Sequence, residues 1–240
     1  MGMPITVELA EPTHASLLDE VFGYFLAIDQ RFSPFKPDSE VALLNEGQLP
    51  LSALSRDMRE VLDLAERTRQ ETNGYFDLRR PDGRVDPSGI VKGWAVRNAA
   101  RLIEAAGPRN FYVEAGGDIQ SRGTAPDGQE WRIGIRDPFD QTGIVMAVAP
   151  RGRGIATSGT YVRGQHIYNP HRPGHPIQDL VSLTVVGPDA LEADRFATAA
   201  FAMGEDGIYF IEDYPNLEAY AITPGGIAIQ TTGFGAFVIS

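Results

Sequence analysis

The chain predicts an α+β fold of mixed helices and largely antiparallel sheets, and three observations carry that prediction. Apolar residues recur at helical spacing in several long stretches, short strand patterns cluster around tight-turn sequences, and helices and strands do not alternate as regular βαβ units. With 240 residues and 42% hydrophobic content, the chain can bury a substantial core as a single domain spanning 1–240. No internal repeat, low-complexity tract or linker divides it.

Residues 4 to 9 alternate as a strand. Thr13 is positioned to cap a helix from His14 to about Phe32 whose inward face carries Leu17, Leu18, Val21, Phe22, Phe25 and Ile28. Ser55 caps a second helix, Arg56 to Thr72, which Asn73-Gly74 ends because glycine accepts the left-handed conformation. Pro81-Asp82-Gly83 is a turn, and Ser88 opens a helix that runs through Lys92 and Val96 to Ala106, where Gly107-Pro108 stops it. Strands follow at 111–115, 131–136 and 144–148, with Asp127-Gly128 and Gln141-Thr142-Gly143 as hairpin connections. A strand at 180–186 leads into Asp189-Ala190-Leu191-Glu192, a capping-box variant that starts a helix through Asp194. Residues 218–223 and 226–230 read as a hairpin, and 235–239 as a closing strand.

The charge balance excludes one large class of partner. Lys plus Arg number 21 against 32 Asp plus Glu, a net charge of −11, and a nucleic-acid surface needs a basic field. Cysteine is absent, so disulfides, thiolate nucleophiles and Cys-ligated metals are out. No apolar stretch reaches membrane-spanning length, and the N-terminal sequence enters a strand pattern without a basic-then-apolar leader. The expectation is a cytoplasmic protein with no membrane partner.

Four patterns bear on chemistry. Asp194 and Thr198 lie one turn apart on a helix, and both are hard oxygen ligands able to grip one Mg²⁺. The same residues also suit a helix start and a hydroxyl bonded back to the preceding turn. Gly116-Gly117-Asp118 follows a strand, where two glycines admit close approach of a ligand or simply form a tight turn. Asp86-Pro87-Ser88-Gly89-Ile90-Val91-Lys92-Gly93 presents backbone N–H groups and a lysine at a helix entrance, either an anion cradle or a capped helix with a close contact at Gly93. His166, His171 and His175 fall in a stretch broken by Pro170, Pro173 and Gly174, which matches no helical zinc motif. Ala156-Thr157-Ser158-Gly159 lacks the Gly-x-Ser-x-Gly pattern of a serine elbow, and neither a Walker A nor a Gly-x-Gly-x-x-Gly motif is present.

Taken in order, these segments resemble the ApbE-type flavin transferases, also called FAD:protein FMN transferases. The series runs from Met1-Gly2-Met3-Pro4-Ile5-Thr6 through Phe32 to Asn45, Gly74-Tyr75-Phe76-Asp77, the Asp86–Gly93 segment and Gly116-Gly117-Asp118-Ile119. It continues with Ile155 to Tyr161, His166-Ile167-Tyr168-Asn169-Pro170 and the Asp194/Thr198 helix. The resemblance implies an ApbE-like, T-fold-like architecture and a reaction that moves the FMN half of FAD onto a threonine of an acceptor flavoprotein, releasing AMP. It implies Mg²⁺ bound by Asp194, Thr198 and a backbone carbonyl at Val91, with His166 accepting the hydroxyl proton. It also implies FAD contacts from Met1, Ser39, Glu40, Asp77, Lys92, Gly117, Asp118, Ser158 and Tyr161. The chain departs from the family pattern in the short 78–85 segment, in Val91 for a usual alanine, and in Arg97, Thr160 and Asn169 where an acid is common. Water in place of threonine would make the protein an FAD hydrolase yielding FMN and AMP, and loss of catalysis would leave a flavin-binding protein.

Overall fold

In the computed structural model, described for residues 3–80, 82–140, 142–160 and 167–239, strands and helices pack in layers around one large antiparallel sheet. The strands are β1 (Ile5–Leu9), β2 (Phe111–Ala115), β3 (Asp118–Arg122), β4 (Ile133–Arg136), β5 (Ile144–Val148), β6 (Gly154–Gly159), β7 (Ser182–Gly187), β8 (Glu218–Ile222) and β9 (Ala228–Gln230). The helices are α1 (Ala15–Phe32), α2 (Glu40–Asn45), α3 (Arg56–Glu71), α4 (Ser88–Ala106), α5 (Ala190–Met203) and α6 (Asp206–Glu212). Seven strands form the main sheet in the order β1-β2-β3-β6-β7-β8-β9, while β4 and β5 pair only with each other as strands. Among the described residues, no helix is long and apolar enough to cross a membrane.

Alternation along the strands sends their side chains to the two faces of the sheet, where three clusters form. Phe111, Val113 and Ala115 pack against α1, α3 and α4, and Leu183, Val185, Ala219 and Ala221 pack against α5 and α6. Ile119, Ile155, Val186 and Ile222 turn the other way, toward Ile135 and Val148 of the small hairpin and Phe234 and Phe237 near the C-terminus. The central strands are therefore buried on both faces, β7 along its whole length.

Side chains cap the starts of α2, α3 and α5, whereas α1, α4 and α6 begin without a side-chain cap bond. Ser55 Oγ accepts from Met58 N at 3.1 Å, and Asp189 accepts from Glu192 N at 3.0 Å. Replacing Ser55 with Ala is expected to cost about 1 kcal/mol, read as a fall of roughly 2–4 °C in Tm by calorimetry. The predicted Thr13 cap is corrected: His14 occupies that position and gives no side-chain bond. Within α1, Leu17, Val21, Phe25, Ile28 and Phe32 are buried, whereas Phe22 lies on the solvent side. Gly107 ends α4 with a positive φ of 121°, as the glycine-proline pair predicts.

Four segments differ from the sequence expectation. β3 and β6 are strands, α6 follows α5 almost immediately, and the predicted closing strand is instead a 3-10 turn at Phe234–Phe237. Between β3 and its sheet neighbour β6 the chain makes an excursion, residues 123–153, that carries the β4–β5 hairpin. Its neck is clamped because Gln120 Nε2 and Arg122 Nη1 both donate to Gly152 O, at 3.2 and 2.6 Å. Backbone bonds from Ala149 N to Phe237 O and from Ile239 N to Ala147 O fasten β5 to the C-terminal segment.

Candidate active site

Helices α4 and α5 cross in antiparallel fashion with a matched four-residue step. Gly93 N donates to Asp194 Oδ2 at 2.8 Å, and one turn back on α4 the Gly89 carbonyl accepts from Thr198 Oγ1 at 3.3 Å, one turn further along α5. Small residues permit this approach. A Cβ on Gly93 would lie 2.4 Å from Ala190 O and 2.5 Å from Asp194 Cβ, and one on Gly89 would meet Thr198 Cγ2 at 3.1 Å. Gly93→Ala must therefore spread the helices, since a backbone oxygen blocks it. The expected cost is about 1–3 kcal/mol, with a fall of roughly 3–10 °C in Tm. A Gly93→Ala protein with unchanged Tm would contradict this packing.

The rotation of α5 is fixed from its other side. Arg195, adjacent to Asp194, is buried, donates to Thr68 Oγ1 at 3.2 Å, pairs with Glu71 and Glu192, and lies 4.2 Å from the Phe196 ring centroid. At the helix entrance, Gln120 Oε1 on β3 accepts from Ala190 N at 2.8 Å. Sheet, α3 and α4 thus all fix where Asp194 points.

Asp194 and Thr198 both face a cleft of about 1460 Å³. That exceeds the roughly 300–1,000 Å³ of ordinary small-molecule pockets. The cleft runs from the α4–α5 crossing past the Gly116–Gly117 turn to the sheet face beneath the hairpin. Gly117 has a φ of +96° and nothing within 4 Å of a Cβ, so its backbone is open to the cleft. Tyr112 and Trp131 pack edge to face at 5.0 Å at the hairpin end, and Trp131 Nε1 donates to Arg122 O.

Beside the crossing lies a buried acid pair. Asp118, fully buried at the start of β3, forms an ion pair with Lys92 Nζ at 2.9 Å. Neither Asp118 oxygen makes a well-aligned hydrogen bond, so charge and distance hold this contact. Burial first, and then the neighbouring Asp194 charge, push the Asp118 carboxyl well above the ordinary carboxylate range, while Lys92 opposes both. The crossing is thus short of positive charge at the point where hard oxygens converge. Among the described residues no three His, Cys, Asp or Glu side chains form a metal cluster. A cation here would rely on one carboxylate, a hydroxyl and a carbonyl, a donor set that suits Mg²⁺, which binds through one or two carboxylates and completes its shell with water and phosphate.

The other expected site residues divide clearly. Asp77, Lys92, Gly117 and Ser158 line the cleft, and Asp77 also accepts from Arg79 N at 2.7 Å. Ser39 and Glu40 are not among the lining residues. Ser39 caps α2 by accepting from Ala42 N at 3.0 Å and donates to Ser33 O, while Glu40 accepts from Ser55 N and faces Arg31. Val91 is buried inside α4 away from the lining, and the α4 carbonyl that meets Thr198 belongs to Gly89. Helix geometry explains the shift, since positions 89 and 93 share a face and 91 points elsewhere. The signal available in sequence was the Gly89-x-x-x-Gly93 spacing itself. Met1, Tyr161 and His166 lie outside the described residues. Downstream of them, Tyr168 OH donates to Arg79 O at 2.7 Å, His171 Nε2 bonds Asn73 O at 2.9 Å, and the His171 ring packs on Tyr75.

These features define a class: an α+β protein with one oversized cleft in which a helix-borne carboxylate and hydroxyl meet a carbonyl of a neighbouring helix. The ApbE family model matches residues 1–79 and 78–221, and the chain belongs to the ApbE family. It is 35% identical over 184 residues to the FAD:protein FMN transferase of Escherichia coli K12, covering 71% of this chain and 52% of that protein. To a Klebsiella pneumoniae FAD:protein FMN transferase it is 31% identical over 207 residues, covering 82% of this chain and 58% of the relative. The chain thus spans about half the length of the curated relatives it matches. The solved structure of the flavin transferase ApbE from Vibrio cholerae superimposes with a TM-score of 0.86 at 26% identity, covering 99% of this chain and 96% of that one. The ApbE protein of Thermotoga maritima shares the fold, with a TM-score of 0.85 at 21% identity and coverage of 99% and 96%.

Proposed function

We propose that this chain is a Mg²⁺-dependent FAD:protein FMN transferase. In the proposed reaction the hydroxyl oxygen of a threonine on an acceptor flavoprotein bonds to the phosphorus of the FMN half of FAD. The bond from that phosphorus to the bridging oxygen breaks, its electron pair leaves on AMP, and the hydroxyl proton passes to His166. The observation that carries this reading is the α4–α5 crossing, where Asp194, Thr198 and Gly89 O converge on a cleft larger than one small ligand needs. Family membership supports the same reading.

Asp194, Thr198 and the Gly89 carbonyl would hold the Mg²⁺, which when bound supplies positive charge for the phosphoryl oxygens. The chain's own residues do the rest. Gly117 offers unshielded backbone, Ser158 offers a hydroxyl, and Lys92 sits at the cleft wall with its charge directed at Asp118. The Tyr75–His171 contact and the Tyr168–Arg79 bond anchor the segment that follows His166. The test is incubation with FAD and MgCl₂, with and without a threonine-bearing acceptor, followed by chromatography for AMP and mass spectrometry of the acceptor. Acceptor-bound FMN with equimolar AMP is expected. Free FMN plus AMP in both arms would make the protein a hydrolase, and intact FAD in both would reject the enzyme.

A further inference from the structure

Among the described residues, the β4–β5 hairpin leaves a backbone edge facing the cleft. Six consecutive residues, Trp131 to Arg136, line it, although side chains of a strand alternate between two faces. A run without alternation means that the cleft follows the strand's edge. Gly134 makes the point directly, because it has no side chain and its contribution to the wall is backbone.

The register tells which way that backbone points. Gly134 is opposite Ala147, and Ala147 O accepts from Ile239 N on the far side of β5. In an antiparallel ladder, a residue whose carbonyl turns away from its opposite number belongs to a non-hydrogen-bonded pair, and both members then face outward. Gly134 N–H and C=O therefore project from the outer edge of β4. Among the described residues, no strand other than β5 pairs with β4. The strand is only four residues long and is bulged between Ile135 and Arg136, which confines any pairing at this edge to a short stretch around Gly134.

We propose that this edge is the docking site of the acceptor polypeptide, which adds to β4 as an extended strand and carries its threonine into the cleft that Asp194 and Thr198 share. The proposal rests on the transferase reading above. The free edge presents main-chain donors and acceptors, the complement of another main chain. Ile133, half-buried on the face opposite Gly134, offers apolar contact for a side chain of the guest. The cleft, at about 1460 Å³, exceeds the roughly 300–1,000 Å³ of ordinary small-molecule pockets and so leaves room beyond one ligand.

The probe is a pooled library of ten-residue peptides with threonine at the centre, supplied with FAD and MgCl₂. The peptide that wild-type protein modifies best is then remade with a single N-methyl group at each backbone position in turn. Strand addition predicts that N-methylation at alternate positions abolishes modification while the intervening positions tolerate it. Gly134→Pro removes the outward N–H without touching the β4–β5 ladder, and Gly134→Ala, which adds a Cβ against the same Ile144 side chain, is its control. A KM for peptide at least tenfold higher in Gly134→Pro than in Gly134→Ala is expected, with equal FAD affinity by flavin fluorescence. A modified peptide with no alternating pattern and equal KM in the two variants overturns edge docking and leaves the transferase reading intact. A matching loss of FAD affinity in Gly134→Pro assigns the edge to flavin and also overturns it. Absence of any modified peptide with wild-type protein overturns both readings together. If Gly134→Pro does not fold, the N-methyl series on wild-type protein decides alone.

Discussion

Replacing Asp194 with Asn is expected to abolish Mg²⁺-dependent AMP release, a loss on the order of 100-fold or more because several kcal/mol of charge stabilisation vanish. The substitution separates ligation from folding. An asparagine carboxamide oxygen can still accept the Gly93 N–H, so the helix crossing keeps its 2.8 Å contact, whereas the formal charge is gone. The same change removes the Asp194 charge, the second-largest cause that pushes Asp118 upward, so the metal-free variant is expected to be at least as stable as wild type. A Mg²⁺ titration followed by thermal unfolding gives a readout independent of catalysis. Wild-type protein should gain Tm with added Mg²⁺ and the variant should not, because a ligand stabilises only the state it binds. Undiminished AMP release, or an equal Mg²⁺-induced Tm shift, would remove Asp194 from the site.

Lys92→Met is expected to be the most destabilising single change at the site. The lysine is the cation paired with fully buried Asp118, and breaking a buried pair costs about 3–5 kcal/mol. That corresponds to a fall in Tm of roughly 6–20 °C for a chain of this size. The sign of the pH dependence follows from the raised carboxyl. A carboxyl whose folded pKa lies above its unfolded value favours the folded state below the unfolded value, and that advantage is lost as pH rises through the folded pKa. Without Lys92 the folded pKa rises further, so the deficit should grow as pH rises through the raised folded range of Asp118 and shrink as pH falls below it. Adding Asp118→Asn to Lys92→Met should recover most of the loss at neutral pH and abolish its pH dependence. Calorimetry in EDTA from pH 4 to 8 on the two single variants and the double tests this. A double variant no more stable than Lys92→Met would show that the ion pair is not the source of the loss.

The helices were legible in the sequence where a single side chain decides the backbone: Ser55 and Asp189 as caps, Gly107 as a stop. They were less so at Thr13, which local capping preference favours but which the helix passes over, starting one residue later behind His14. β3 and β6 were illegible for a different reason. Asp-Ile-Gln-Ser-Arg and Gly-Ile-Ala-Thr-Ser-Gly show neither period-2 alternation nor bulky β-branched runs, because both strands are buried on two faces by tertiary packing. The site shows the same division. Asp194 and Thr198 could be paired from their four-residue spacing on one helix, but their partners Gly93 and Gly89 come from about a hundred residues away. That the α4 carbonyl bonded to Thr198 is Gly89's required knowing which face of α4 meets α5. Ser39 and Glu40 carried polar groups suited to a ligand and spend them on a helix cap and on the α3 entrance.

The excursion between β3 and β6 has an evolutionary consequence. Its two stems are neighbours in the sheet and its neck is pinned at Gly152, so the ladder on either side is indifferent to how much chain hangs between them. Lengthening or shortening such a detour costs only a logarithmic entropy increment. The protein can therefore remodel the brow over its cavity, residue by residue, while the crossing that positions Asp194 and Thr198 stays under the separate and stricter constraint of two glycines.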